Sequence, residues 1–227
     1  MVEYYKGHPK YLLAVDCIIL GYEREELKLL LYPRAFEPVK GKWSLMGGFV
    51  QEKESCEDAA CRILQQTTGL TNIFLQEVGV FSDPARESFA RVVSVAYFAL
   101  IRIQQHDLEL VREHGAQWWP ISGLPGLIFD HGKMISEAIV RLQQKAGFSL
   151  AGSELLPEKF TLLQLRKLYE AIYQRAFDAG NFRKKMLSLE LLERTHEKDF
   201  SESRKGAYYY TIHQDVKGVD TGRIIKY

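Results

Sequence analysis

The chain lacks long hydrophobic runs, and it has few cysteines. No window approaches the roughly eighteen consecutive apolar residues that a membrane-spanning helix needs. The first ten residues, MVEYYKGHPK, lack the apolar centre of a secretory signal peptide. The three cysteines, Cys17, Cys56 and Cys61, are too few, and odd in number, for the disulfide framework of a secreted domain. We therefore expect a cytoplasmic protein with no membrane partner.

Net charge is also nearly absent, but the two parts of the chain differ in sign. The formal net charge is +1. Residues 1–156 carry 16 Lys and Arg against 19 Asp and Glu, whereas residues 157–227 carry 14 against 10. Apolar residues make up 46% of the chain, which is enough for a core in each of two modules. A basic terminal module on a mildly acidic body indicates a polyanionic partner.

The body of the chain has the pattern of a sheet with helices. Apolar, β-branched segments predict strands at 12–20, 27–34 and 91–101. Residues 55–68 predict a helix that ends at Gly69. A second helix is predicted to follow Asp130 as its N-cap, because the apolar residues beyond it have a helical period.

The segment GFVQEKESCEDAACRILQQTTGL, residues 48–70, resembles the Nudix box, written G-x(5)-E-x(7)-R-E-U-x-E-E-x-G-U with U an aliphatic residue. The positions in register are Gly48, Glu54, Arg62, Leu64, Gly69 and Leu70. The remaining glutamate positions hold Ile63, Gln66 and Thr67. The resemblance implies a Nudix domain, in which the box forms a loop, a helix and a second loop.

The residues at the glutamate positions argue against hydrolase activity. In the Nudix family these glutamates lie one helical turn apart and hold Mg²⁺ against a diphosphate, and Mg²⁺ requires hard anionic oxygen ligands. Ile63 offers no oxygen, and Gln66 and Thr67 offer only neutral ones. The loss of these carboxylates should remove several kcal/mol of transition-state stabilisation. We therefore predict a protein that is not an enzyme and holds no catalytic metal or cofactor.

Two alternatives stay open for Glu54. It either forms a structural ion pair with Arg62, which we favour, or remains as a metal ligand. Glu52, Glu57 and Asp58 lie off the spacing that the box requires, so we expect them to be solvated.

The segments around the box are expected to form the former substrate cleft, now an effector site. Asp16 interrupts an apolar strand, and a buried carboxylate costs several kcal/mol unless it has a partner. It therefore has either a partner within the protein or a role in holding sugar hydroxyls. Trp43 suits the core as well as the cleft. The predicted effector-binding residues are Asp16, Arg34, Trp43, Met46, Phe49, Phe81 and Arg91.

The last part of the chain has the pattern of a helix-turn-helix. Thr161 and Gln164 form a T-x-x-Q capping box at the start of one helix. Residues 178–181 (DAGN) predict the turn, and residues 182–195 predict a second helix. That helix opens with three cations, RKK, although a first turn usually favours acidic residues. We therefore expect a negatively charged partner such as DNA.

A two-stranded wing is predicted after the helices, with strands at 207–212 and near 223–226. Its cations could reach backbone phosphates, while the second helix reaches base edges. The predicted DNA-binding residues are Asn181, Arg183, Lys184, Lys185, Arg204, Lys205, Lys217 and Arg223. The alternative interpretation is a helical dimerisation cap whose charges are only solvated.

The segment FTLLQLRKLYEAIYQRAFDAGNFRKKM, residues 160–186, resembles the winged helix-turn-helix of Nudix-related transcriptional regulators. The resemblance implies an α+β protein: a Nudix α/β/α sandwich with a mixed sheet, followed by a small winged helix-turn-helix domain. The expected boundaries are 1–147 for the effector-sensing Nudix domain, 148–156 for a linker and 157–227 for the DNA-binding domain. The expected partners are a palindromic double-stranded DNA operator and a second copy of the chain in a homodimer.

The function that this resemblance implies is that of a ligand-responsive repressor. The segments HPKYLLAVDCIIL and GKWSLMGGFV are similar to the branch of the family that regulates sugar-utilisation operons. The expected effector is therefore a pentose such as L-arabinose. The alternatives are a regulator of NAD metabolism that senses ADP-ribose, a divergent Mg²⁺-dependent Nudix hydrolase, and a noncatalytic module that binds another protein.

Overall fold

The computed structural model describes residues 6–71, 73–103, 115–201 and 204–213. Its strands are β1 (Leu12–Glu23), β2 (Glu26–Pro33), β3 (Trp43–Ser44), β4 (Met46–Phe49), β5 (Gln76–Phe81), β6 (Val92–Arg102), β7 (Gln117–Pro120), β8 (Phe160–Thr161), β9 (Leu192–Asp199) and β10 (Ala207–Ile212). Its α-helices are α1 (Cys56–Thr68), α2 (His131–Phe148), α3 (Leu162–Tyr173) and α4 (Ala179–Ser188). Within these ranges no helix combines the length and the hydrophobicity needed to cross a membrane.

The central sheet has seven strands, with β1 in its interior. The strand order is β3-β2-β1-β6-β5, while β4 also pairs with β1 and β7 pairs with β2. β1 runs parallel to β6 and antiparallel to β2 and β4, so the sheet is mixed. A strand buried on both faces requires an almost continuous apolar run, and residues 12–20 supply it.

Alternate residues of β1 face two different layers. Val15, Cys17 and Ile19 pack in a core with α1. Ile18 and Leu20 pack on the other face, in a core with α2. The sheet therefore lies between helical layers, and the predicted Nudix sandwich with a mixed sheet is confirmed.

Helix α1 has the boundaries that its sequence predicts. Ser55 is its N-cap, and the Ser55 hydroxyl accepts a hydrogen bond from the Asp58 N–H at 3.0 Å. Gly69 ends the helix in the left-handed region, at φ 74°, which glycine adopts without a steric penalty.

Helix α2 begins directly after Asp130, as predicted, but the Asp130 side chain does not cap it. The Asp130 carboxylate instead accepts a hydrogen bond from the Arg86 guanidinium at 2.8 Å. Arg86 is buried, and a buried cation without an anionic partner is far less stable than an uncapped helix end, which explains the difference.

The C-terminal helices and the sheet β8-β10-β9 form a winged helix-turn-helix. The predicted capping box is confirmed, since the Gln164 N–H donates to Thr161 Oγ1 at 3.1 Å. Helix α3 ends at Tyr173, Gln174 follows in the left-handed region at φ 51°, and Asp178 is the N-cap of α4. The turn therefore precedes the predicted segment 178–181, because Asp178 accepts a hydrogen bond as a cap and thereby starts the helix.

The prediction of one helix over 182–195 is wrong in its second half. Helix α4 ends at Ser188, and Glu190 adopts a positive φ of 55° before β9 begins. The pairing of β9 with β10 satisfies backbone groups that a longer helix would have paired internally. The described wing is therefore β9 with β10, and the predicted strand near 223–226 lies outside the described residues.

The predicted linker 148–156 does not run through solvent. Leu155 and Leu156 are buried in the same core as Leu142 of α2 and Tyr169 of α3. The Arg102 Nε donates to the Glu154 carbonyl at 2.6 Å, which fixes the segment against β6. The two modules therefore share one hydrophobic core, and the boundaries at 147 and 157 stay predictions.

Candidate functional site

An aliphatic side chain occupies the first of the altered box positions. Ile63 is 4% exposed and belongs to the core between β1 and α1. A Cβ added to Gly48 would lie only 2.8 Å from Ile63 Cδ1, so the isoleucine fills the space beside this glycine. A hydrated Mg²⁺ would find a hydrocarbon surface here, where the family pattern places a carboxylate.

The oxygen atoms at the other altered positions bond within the protein. Thr67 Oγ1 donates to the Ile63 carbonyl at 2.8 Å, and Gln66 Oε1 accepts from Arg62 at 3.5 Å. Among the described residues there is no group of three or more His, Cys, Asp or Glu side chains placed to hold a metal ion. These residues therefore do not fit a Nudix metal centre.

Glu54 forms the ion pair that we favoured. Its carboxylate contacts Arg62 at 2.5 Å and 2.9 Å and also accepts from the Gln51 N–H at 2.7 Å. Arg62 in turn donates to the Phe49 carbonyl at 3.1 Å. The hydrogen bonds from Arg62 lower the pKa of Glu54. Glu54 and Arg62 therefore close the loop before α1 onto the helix.

Asp16 has its partners within the protein, so the first of its two alternatives describes the structure. It is 6% exposed, and Ser94 Oγ donates to its carboxylate at 2.6 Å. Arg86 Nη2 and His131 Nε2 each lie 3.5 Å from its oxygens. A buried carboxylate with a cation and two donors beside it is stabilised without any ligand.

His131 is held in one tautomer. The Leu45 N–H donates to His131 Nδ1 at 3.2 Å, so the proton lies on Nε2, which faces Asp16. Burial lowers the pKa of His131, so the ring is neutral near pH 7. Arg86, Asp16, Ser94, Asp130 and His131 together form what we call the buried polar cluster. Sequence reasoning identified Asp16 alone as its ionic centre, because no short spacing links these residues.

Several predicted effector residues lie at one end of the sheet. Since β1 and β2 are antiparallel, the start of β1 and the end of β2 meet there. The Arg34 guanidinium lies 4.3 Å from the Phe36 ring centroid, and Trp43 makes an edge contact with Trp119. Arg91 stacks on the Tyr11 ring at 5.0 Å.

Exposure separates the apolar members of the predicted set. Phe49 is 48% exposed beside the box, and Trp43 is half-buried. Met46 is fully buried in the core on the α1 side, and Phe81 is buried in the core on the α2 side. The prediction that Met46 and Phe81 contact an effector is therefore corrected: both side chains fill the core and present almost no surface.

Two cavities lie on the α2 side of the sheet, away from the box. One, of about 1080 Å³, lies between β6, α2, the connecting segment and the wing, and residues such as Phe98, Phe148 and Phe160 line it. The other, of about 460 Å³, adjoins it beside Phe74 and Arg141. The predicted effector residues line neither cavity.

Helix α4 presents cations on its outer side. Phe182 and Met186 are buried, whereas Arg183 and Lys184 are exposed and Lys185 is half-buried. The predicted residues Asn181, Arg204 and Lys205 are also exposed. Lys217 and Arg223 lie outside the described residues. An exposed cationic face opposite an apolar one is what a helix needs to bind the DNA major groove.

Sequence reasoning missed two cations of the wing. Arg194 and Lys198 lie on β9, and both contact the Tyr208 ring of β10, with centroid distances of 4.6 Å and 4.5 Å. They were missed because residues 182–195 were assigned to one helix. Alternation with acidic residues in LERTHEKD was the available signal for a strand.

Two family descriptions match the chain. "NUDIX domain" matches residues 10–138, and "NrtR DNA-binding winged helix domain" matches residues 152–212. The chain is 28% identical to the ADPR responsive transcriptional repressor NtrR of Acinetobacter baylyi, over 95% of this chain and 88% of that protein. It is 33% identical to the ADP-ribose pyrophosphatase of Methanocaldococcus jannaschii, over 57% of this chain and 73% of that protein.

Solved structures of one protein give a similar result. Shewanella oneidensis NrtR complexed with a 27mer DNA is 31% identical, with a TM-score of 0.77 over 90% of this chain and 94% of that one. Its NUDIX domain complexed with ADP ribose is 31% identical, with a TM-score of 0.53 over 63% of this chain and 99% of that one. The chain therefore belongs to the Nudix family and, like the NrtR-like regulators, carries an NrtR-type DNA-binding winged helix domain after its Nudix domain.

Proposed function

We propose that this protein is a DNA-binding transcriptional repressor whose Nudix domain senses ADP-ribose without hydrolysing it. The observation that carries the proposal is a Nudix box without metal-binding carboxylates, joined through one shared core to an exposed cationic helix, α4. A Nudix domain without its metal ligands still has a cleft that can bind a ligand. The shared core gives that ligand a physical route to the DNA-binding helices.

ADP-ribose replaces the pentose that the sequence led us to expect. The relatives that were found give L-arabinose no support, whereas the Acinetobacter baylyi repressor and the Shewanella oneidensis complex are both described with ADP-ribose. The end of the sheet also suits this ligand. Arg34 and Arg91 can pair with a diphosphate, and the exposed ring of Phe49 can stack on a base. An uncharged pentose would use neither guanidinium as a counter-ion.

The absence of catalysis is part of the proposal. A Mg²⁺ ion in this box would meet Ile63 as hydrocarbon, neutral oxygens at the next positions, and Glu54 already paired with Arg62. The similarity to the Methanocaldococcus jannaschii pyrophosphatase gives the hydrolase alternative a specific basis. Incubation with ADP-ribose and Mg²⁺ should release no AMP. Mg²⁺-dependent cleavage that Glu54→Gln abolishes would establish a hydrolase instead.

DNA binding is assigned to α4, which would lie in the major groove with Arg183 and Lys184 facing the duplex. Two copies of the chain on a palindromic operator would place their α4 helices about 34 Å apart, one helical turn of DNA. Bound ADP-ribose would favour a conformation with a different helix spacing. A shift of this balance from 99:1 to 1:99 needs roughly 5.5 kcal/mol of differential affinity.

The test uses the full-length chain and a duplex from its own promoter. We expect retention of the duplex in gel shifts, release by ADP-ribose and no release by L-arabinose. Arg183→Glu with Lys184→Glu should abolish retention and leave calorimetric binding of ADP-ribose unchanged. Lys133→Glu, an exposed charge reversal on α2, is the control and should behave as wild type. Retention by the α4 variant, or release by arabinose alone, would overturn the proposal.

A further inference from the structure

We propose that Arg194, Lys198 and Tyr208, which we call the wing clamp, bind a backbone phosphate of DNA beside α4. The inference rests on the proposed function and adds a second contact surface to it. It concerns the paired strands at the base of the wing, whereas the cations predicted from sequence lie at its turn or beyond the described residues.

The geometry of the clamp is set by one aromatic ring. The Arg194 guanidinium carbon lies 4.6 Å from the Tyr208 centroid, and Lys198 Nζ lies 4.5 Å from it. Tyr208 is 36% exposed, so the ring is accessible from solvent. Cations held by a ring keep their charge and lose little further side-chain freedom when an anion binds.

Strand pairing shows which face of the wing carries the clamp. Tyr208 lies opposite Lys198, and Tyr210 lies opposite Arg194. Directly opposed residues share a face, and so do residues two apart on one strand. Tyr210 is 4% exposed and packs in the core with Phe182 of α4. The clamp therefore continues, towards the wing turn, the face that packs on the DNA-binding helices.

The clamp brings two like charges together without a neutralising acid. Across the described residues, no carboxylate lies within ion-pair distance of Arg194 or Lys198. The acidic residue Glu197 of the same strand instead pairs with Lys159 at 2.5 Å. Two cations on one ring repel each other, and an anion placed between them removes that repulsion.

A phosphodiester is the anion that fits best. The clamp consists of point charges and an aromatic face, with no amide or carboxylate to distinguish one base edge from another. Its position beside α4 would let it hold the backbone while that helix enters the groove. We therefore expect the clamp to contribute affinity and salt dependence, and no base preference.

The experiment measures DNA affinity of the full-length protein by fluorescence anisotropy at several salt concentrations. It uses the promoter duplex and an unrelated duplex of equal length. Arg194→Gln with Lys198→Gln should weaken binding to both duplexes by the same factor. It should also reduce the slope of log K against log salt by about 0.9 for each phosphate that the variant no longer neutralises. Tyr208→Phe keeps the ring and should match wild type, whereas Tyr208→Leu should weaken binding in the same way.

Lys159→Gln is the matched control, because it removes one cation from the same domain at the Glu197 pair. It should leave affinity and slope unchanged. The clamp is overturned if the Arg194 and Lys198 double variant binds as wild type, if Lys159→Gln has an equal effect, or if the weakening is confined to the promoter duplex. Failure of the wild-type protein to bind any duplex would instead overturn the proposed function. Melting curves identify an unfolded Tyr208→Leu, and the double variant then decides alone.

Discussion

The guanidinium of Arg86 forms a bidentate ion pair with the carboxylate of Asp130, with nitrogen–oxygen distances of 2.8 Å and 3.1 Å. Arg86 lies in the loop before β6, and Asp130 directly precedes α2. The pair therefore fixes the start of α2 against the end of the sheet where the effector is proposed to bind. Arg86 also lies 3.5 Å from Asp16, so one buried cation serves two carboxylates.

Removal of Arg86 should be strongly destabilising. The Arg86 side chain is only 3% exposed, and Arg86→Met would leave Asp16 and Asp130 without their cation. The free energy of unfolding should fall by about 3–5 kcal/mol, as measured by urea denaturation. Combining Arg86→Met with Asp16→Asn should recover part of the loss. Arg141→Met, at an exposed arginine of α2, should cost much less, and an equal cost would contradict the buried-charge explanation.

The buried polar cluster should make stability depend on pH through His131. Burial keeps the folded-state pKa of His131 below the ordinary value of about 6.5, so the unfolded chain binds this proton first as the pH falls. Stability should therefore decrease below about pH 6.5, until the folded-state pKa is reached. His131→Gln should flatten this part of a plot of unfolding free energy against pH. His196→Gln, at an exposed histidine, should keep the wild-type slope; an unchanged slope in His131→Gln would argue against the assignment.

Gly47 should tolerate no side chain. A Cβ at this position would lie 2.2 Å from Asp16 Oδ1 and 3.1 Å from the Val15 carbonyl. Gly47→Ala should therefore push on the buried carboxylate and destabilise the protein by about 1–3 kcal/mol, measured by thermal or urea unfolding. Gly126→Ala is the control, because nothing lies within 4 Å of the added Cβ. Equal stability of the two variants would show that Asp16 can move aside.

Local signals explain what the sequence could predict. The ends of α1 depend on Ser55 and Gly69, whose effects act within one helical turn, so both were identified. The mixed sheet followed from continuous apolar runs that only a strand buried on both faces needs. The Glu54–Arg62 pair lies within the box and was likewise within reach of spacing arguments.

Long-range contacts explain what the sequence could not predict. The segment LSLELLERT has a high helix propensity, yet pairing with β10 converts its second half into β9. Met46 and Phe81 are apolar residues that suit a cleft as well as a core, and only the packing of the sheet decides between these places. Arg86 and Asp130 are 44 residues apart, so no periodicity connects them.

The joint between the two domains gives a final prediction about regulation. The Tyr173 hydroxyl of α3 donates to the Gln143 carbonyl of α2 at 2.6 Å, and Gln143 Nε2 donates to the Ile172 carbonyl at 2.9 Å. Helix α2 has 18 residues and thus spans about 27 Å from the buried polar cluster to this joint. A rigid helix fixed at both ends can transmit a shift of its first turn to α3, and through α3 to the DNA-binding helix.

Tyr173→Phe removes one hydrogen bond of the joint and keeps the ring. We expect almost unchanged affinities for ADP-ribose alone and for DNA alone, but a smaller factor by which ADP-ribose weakens DNA binding. A hydrogen bond contributes about 0.5–1.5 kcal/mol, so this factor should fall about two- to tenfold. Anisotropy titrations with and without ADP-ribose measure it, and calorimetry with and without DNA must return the same factor. Tyr97→Phe, on β6 facing α1, is the control. A Tyr173→Phe protein with the wild-type factor would show that the signal reaches α4 by another route.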